Sequence, residues 1–195
     1  MEGIFFILVG AALFTQSWHI LGLYSEGRTM GVFMGALGLL TLGTVMFGAS
    51  VEPVLLTGDP DVADKATKAA GMLADLTVFK GLVVVWAVYA IGAGAQGLWE
   101  LEDRAIGFYS AFVAVVSVIA FLYFAINLGG IYSDAVWLIV SGATLALAIL
   151  ASITFFYLAF QWIVLRLVTG WFILLGSSVI VGLGLVMIAM ATEIA

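Results

Sequence analysis

Long apolar runs broken by brief polar punctuation dominate the pattern along this chain. Six stretches of about 20 or more largely uncharged residues lie at about 3–23, 30–50, 77–98, 105–127, 134–161 and 167–191. Each is long enough to cross roughly 30 Å of hydrocarbon as a helix. The runs are continuous and lack the period-two alternation of barrel strands, which favours helices. A bilayer core cannot hydrogen-bond a bare backbone, and a helix satisfies its own. The pattern predicts an all-α integral membrane protein, with six transmembrane helices forming one domain over residues 1–195. Most connections are short, so sequential helices should lie side by side and antiparallel with both termini on one face.

The substantial connection is 51–76, an extramembrane loop. It holds Pro53 and Gly58-Asp59-Pro60-Asp61, then a stretch from Val62 to Leu76 without a breaker until Gly71. A turn and a short surface helix are expected there, with Asp61 as a candidate N-cap. An internal repeat is visible between the first two hairpins. Gly22-Leu23-Tyr24, Arg28 and Gly31 match Gly97-Leu98-Trp99, Arg104 and Gly107, and a fainter third copy places Arg166 before Gly170-Trp171-Phe172. Glycine, aromatics and arginine also favour membrane edges by themselves, which is the competing explanation. Three repeated two-helix hairpins around an axis would leave a central pore lined by alternate helices.

Composition strengthens this picture: 65% hydrophobic residues and 9% charged leave too little polar surface for a water-soluble domain. No cysteine is present, which excludes disulfides and thiolate chemistry, and the single histidine cannot by itself build a metal site. The start Met1-Glu2-Gly3 lacks a basic region, so the first run is read as a retained helix rather than a signal peptide. Arg28, Arg104 and Arg166 fall on one side, and Lys65, Lys68 and Lys80 on the other. The arginines sit in very short loops, where the positive-inside rule applies best, so their side is expected to be cytoplasmic and the termini outside. The outer face is then acidic, as a solvated surface, a salt adaptation or an attractor of cations or substrate.

No Lys, Arg, Asp or Glu lies near the middle of any run. Such charges mark pumps, ion-coupled carriers and voltage sensors, and they would also supply the acid, base or metal ligands of an intramembrane enzyme. An enzyme is therefore not expected, and no cofactor is implied; Lys80 stands too near a helix edge to serve as a retinal-type Schiff base. The interior offers neutral groups instead, Gln16, Thr144 and Ser177 among them. These can bond their own backbone, a neighbouring helix or a neutral polar solute. On the first helix Phe6, Val9, Leu13 and Gln16 share one face, an apolar stripe ending in an amide. Trp86 and Tyr89 stand at i and i+3 on the third helix and can form an aromatic wall, or simply pack. His19 is a candidate gate near the inner end of helix one, or an edge histidine without a role. Gly31 with Gly35, and Ala93 with Gly97, make small-residue pairs suited to close helix contact.

The run from Gly3 through Val9-Gly10 and Leu13 to Gln16, and the later residues Tyr89-Ala90, Gly97-Leu98, Arg104 and Tyr109-Ser110-Ala111-Phe112-Val113-Ala114, resemble the AmiS/UreI family of urea and short-chain amide channels. The resemblance implies a prokaryotic inner-membrane channel for urea or short amides. It further implies three hairpins, a pore through each protomer, a homohexameric ring plugged by lipid, and external termini. Carried across, it implies a pore face of Phe6, Val9, Leu13 and Gln16, with Trp137 as the retained tryptophan of helix five. Val140 and Thr144 stand where further aromatics would be expected, and Gly176-Ser177 stands near a family glutamate, so the solute could be acetamide or a neutral weak acid rather than urea. The expected pore lining is Phe6, Val9, Leu13, Gln16, Trp86, Tyr89, Trp137, Thr144 and Ser177. Competing readings are a non-transporting scaffold that binds a partner or lipid, and a gradient-coupled transporter; no nucleic-acid partner is expected.

Overall fold

The structure, a computed structural model, describes residues 2–23, 26–46, 60–127 and 134–193, with side chains for 3–23, 26–46, 77–126 and 138–190. All regular structure among them is helical: α1 (Glu2–Leu21), α2 (Gly27–Met46), α3 (Pro60–Trp99), α4 (Asp103–Asn127), α5 (Asp134–Phe160) and α6 (Leu165–Glu193). Each helix contains a segment long and apolar enough to cross a membrane.

The third helix departs from expectation. Its 40 residues run without interruption from Pro60 through the segment expected to hold a separate surface helix. Residues 62–76 are mostly good helix formers, and nothing breaks the backbone where they meet the span, so the helix propagates outward. Proline's fixed φ suits the first helical position, which makes Asp61 the second residue rather than the cap. Residues 51–59 lie outside the described residues.

The three odd helices are the inner ones. Half of the spanning window of α1, α3 and α5 is buried, against 28%, 33% and 22% for α2, α4 and α6. The closest pairings are α1 with α6, α2 with α3, and α4 with α5, so each even helix packs hardest on the odd helix of another hairpin. Lipid tails are as apolar as leucine, so helices in a membrane gain from close backbone approach rather than from hydrophobic burial. A Cβ on Gly94 would stand 2.5 Å from the Gly35 nitrogen, and one on Gly107 would stand 2.5 Å from the Ala159 nitrogen. The small residues of α3 that meet α2 are thus Gly94 and the expected Gly97, with Gly94 one place beyond the Ala93 that spacing alone selects.

The internal repeat survives in part. Arg28, Arg104 and Arg166 are each the second residue of an even helix. The glycines that follow, Gly31, Gly107 and Gly170, meet the C-terminal ends of α3, α5 and α1 in turn, a cyclic arrangement. Each odd helix also ends on a left-handed residue: Gly22 at φ 74°, Glu100 at 54° and Gln161 at 53°. In two of them the amide two places past the helix bonds back to a carbonyl five residues earlier, Leu23 to Trp18 and Leu101 to Gln96, which closes the orphaned last turn. The Gly-Leu-aromatic match does not superpose. Gly22 caps α1, whereas Gly97 lies inside α3, where a Cβ would come 2.5 Å from the Gly27 carbonyl oxygen. The structural equivalent of Gly22 is Glu100.

Candidate functional site

Helical spacing on α1 brings Phe6, Val9, Leu13 and Gln16 to one face, and all four are buried, Gln16 to 4% exposure. On α3, Trp86 and Tyr89 are each 2% exposed. The two faces meet where the Gln16 amide Nε2 donates to the Tyr89 oxygen at 2.7 Å and the Tyr89 hydroxyl lies 3.0 Å from Gln16 Oε1. Thr154 of α5 stands beside the same phenol, and its own hydroxyl donates to the Leu150 carbonyl at 2.8 Å. All three inner helices therefore contribute to one polar node.

Next to the node is a cavity of ≈ 10 Å³ between Val9, Ala12 and Leu13 of α1, Met34 of α2, and Trp86, Tyr89 and Ala90 of α3. That is room for about one water, so the interior is shut at this level. Trp86 packs edge-on against Tyr89 at 5.5 Å. Its indole Nε1–H donates to the Ser117 oxygen at 3.1 Å, and the Ser117 hydroxyl donates onward to the Val113 carbonyl at 2.8 Å. A buried indole with its one donor satisfied is held as a fixed wall.

Towards the face that carries the termini, Phe6 joins Phe5, Phe79 and Phe124. Phe79 sits edge-on to Phe5 and Phe6 at 5.2 and 5.8 Å and tilted against Phe124 at 6.4 Å. These four rings, from α1, α3 and α4, form one buried aromatic cluster. Sequence reasoning selected Phe6 alone, although Phe79 lies seven residues before Trp86 and Phe124 seven after Ser117, two turns along the same faces. It also missed Met34, on the stripe of α2 between Gly31 and Gly38 that packs on α3.

Other expected residues stand apart. Thr144 spends its hydroxyl on the carbonyls of Val140 and Ser141, at 3.0 and 2.9 Å. Ser177 bonds the Leu174 carbonyl at 2.9 Å, and its backbone packs on Gly10 at the α1–α6 seam. Neither lines the cavity. Trp137 falls outside the residues whose side chains are described. His19 is half-buried, and its Nδ1, like the Thr169 hydroxyl, is buried without a hydrogen-bond partner among the described residues.

No protein-family profile matches the chain, and no curated protein sequence does so significantly. Among solved structures, the closed state of the Helicobacter pylori urea channel, determined by cryo-electron microscopy, is similar with a TM-score of 0.65. The match covers 96% of this chain and 98% of that one at 17% identity. The chain has the fold of that urea channel. At this identity the likeness, across nearly the whole of both chains, is one of helix arrangement.

Proposed function

We propose that this protein is a passive membrane channel for urea or short-chain amides, a member of the AmiS/UreI family, and not an enzyme. The observation that carries the reading is the Gln16–Tyr89 pair, a polar node among the three inner helices of a charge-free interior. The urea-channel fold supports it.

The chemistry follows from what the pair offers. Gln16 presents amide donors and a carbonyl acceptor, and Tyr89 a hydroxyl that both donates and accepts. A passing amide or urea carries the same groups, so it replaces the Gln16–Tyr89 bond with bonds of like kind and sheds water at little cost. A bare ion finds too few dipoles to replace its hydration shell and is excluded. Phe5, Phe6, Phe79 and Phe124 form the outer gate, Val9, Leu13, Met34 and Trp86 the slot, and Gln16 with Tyr89 the selecting contact. His19 stands at the inner end of the path, while Thr144 and Ser177, each bonded to its own helix backbone, are set back from it.

The protein acts as a homo-oligomer, a hexameric ring by family resemblance, in a prokaryotic inner membrane with its termini outside. Exposed apolar side chains on the even helices, among them Phe33, Leu40, Phe112, Ile119, Phe172 and Val179, provide the surface for lipid and neighbouring protomers. Tracer exchange of labelled urea across proteoliposomes, with no proton or sodium gradient imposed, tests passive transport. Exchange is expected to run to equilibrium under those conditions; a requirement for either gradient would point to a coupled carrier.

A further inference from the structure

A second cavity, of ≈ 360 Å³, opens at the arginine-bearing end of the bundle, lined by Asp103, Tyr157, Leu158, Gln161, Ile163 and Arg166. Tyr157 and Leu158 stand one turn beyond Thr154 on α5, so the cavity begins about 5 Å along the axis from the Gln16–Tyr89–Thr154 node. It occupies the position of a mouth.

Its charged groups are fixed and separate. The Arg166 Nε–H donates to the Ile20 carbonyl at the end of α1 at 2.7 Å, which anchors the guanidinium and leaves other N–H donors for a guest. The Asp103 carboxylate accepts from the Gln96 amide through one oxygen, and its second oxygen has no hydrogen-bond partner among the described residues. Both charges are close enough to act on the Tyr157 hydroxyl, yet among the described residues they do not pair with each other. An ion of either sign entering this cavity meets one opposite and one like charge, so it can pair with only one of the two groups. A neutral molecule with a carbonyl at one end and an N–H at the other satisfies both, while Leu158 and Ile163 accept a short alkyl group.

We infer that this cavity is a loading site for a small neutral solute of the amide or urea class, its carbonyl oxygen on Arg166 and its N–H on Asp103. The inference rests on the channel reading and adds to it a saturable step at the arginine side. It also assigns Asp103 and Arg166 a preference for a neutral dipolar solute, which engages both groups, over an ion of either sign, which engages one.

Asp103→Asn is the informative variant because it removes the charge while keeping an acceptor for Gln96; Arg166 also caps α1, which makes its replacement ambiguous. In vesicles of uniform orientation, the half-saturation concentration for acetamide influx from the arginine side is expected to rise at least threefold. Asp103→Glu restores it, and iodide becomes an inhibitor of the Asn variant only. A transporting Asn variant with unchanged half-saturation and no iodide sensitivity overturns the inference. Wild-type vesicles that pass neither urea nor acetamide would place the failure with the channel reading. Saturation-transfer NMR of acetamide with detergent-solubilised protein then decides the site separately: a signal cut by half or more in Asp103→Asn upholds it, and an unchanged signal removes it.

Discussion

Gln16 and Tyr89, 73 residues apart, meet inside the bundle with the amide nitrogen 2.7 Å and the amide oxygen 3.0 Å from one phenol oxygen. Each satisfies the other's hydrogen-bonding needs in a setting that offers few alternatives, which is the condition under which a solute of matching chemistry can take one partner's place.

Replacing Gln16 with Leu removes the side of that exchange that resembles the solute. Urea and acetamide flux should fall about tenfold, the effect of losing roughly 1.4 kcal/mol, about one hydrogen bond, from the barrier-crossing complex. Elution volume in gel filtration should be unchanged. Flux equal to wild type would show that Gln16 has no part in selection.

Phe79 touches Phe5, Phe6 and Phe124 and is 4% exposed. Phe79→Ala should lower the melting temperature in detergent by several degrees, because the packing contacts with three rings are lost with the side chain. If the cluster is the gate proposed above, the change should also widen the path there, so that propionamide gains on urea in relative permeability. A permeability ratio that stays at the wild-type value while thermal stability falls would leave Phe79 as packing alone.

Helix contacts give a sharper contrast. A Cβ on Gly94 would press to 2.5 Å from Gly35 N and 2.8 Å from Gly31 O, whereas one on Gly35 meets nothing within 4 Å. Gly94→Ala should lower the melting temperature in detergent by several degrees, and Gly35→Ala should hold or raise it. Equal effects of the two changes would contradict the close α2–α3 seam.

Glu100 and Gln161 adopt left-handed backbone conformations at φ 54° and 53°. L-residues pay about 1–2 kcal/mol there relative to glycine. Glu100→Gly and Gln161→Gly should each stabilise the fold by up to about 1 kcal/mol, and Gly22→Ala, at φ 74°, should weaken it. Thermal melts of the three variants check the sign in each case.

The helices were legible because hydrocarbon thickness and backbone satisfaction leave long apolar runs one structure to adopt. The α1 face from Phe6 to Gln16 was legible for a similar reason, since helical periodicity by itself sets which residues align. What periodicity does not set is the angle at which two faces meet. Thr144 and Ser177 carry the right chemistry, yet both hydroxyls are closed on their own helix backbone, and it is the Ser177 carbonyl that meets Gly10 at the α1–α6 seam. Met34 and Phe79, apolar among many apolar residues, carry no signal until packing on α3 and α1 selects them. The repeat shows the same division. Arg-to-Gly spacing at the start of the even helices has a structural counterpart, while the match of Gly22 with Gly97 compared a helix cap with a helix contact. The outward half of α3 departs from expectation because Pro60 and Asp61 open one helix that runs on into the span, not a separate short helix.

The most direct test of the central claim is stopped-flow light scattering on proteoliposomes exposed to inward gradients of urea, acetamide or sodium chloride, against protein-free vesicles of the same lipid. A neutral-solute channel predicts rapid reswelling with urea or acetamide and none with sodium chloride. Reswelling no faster than in protein-free vesicles for either solute, with folded protein verified in the membrane, would contradict it.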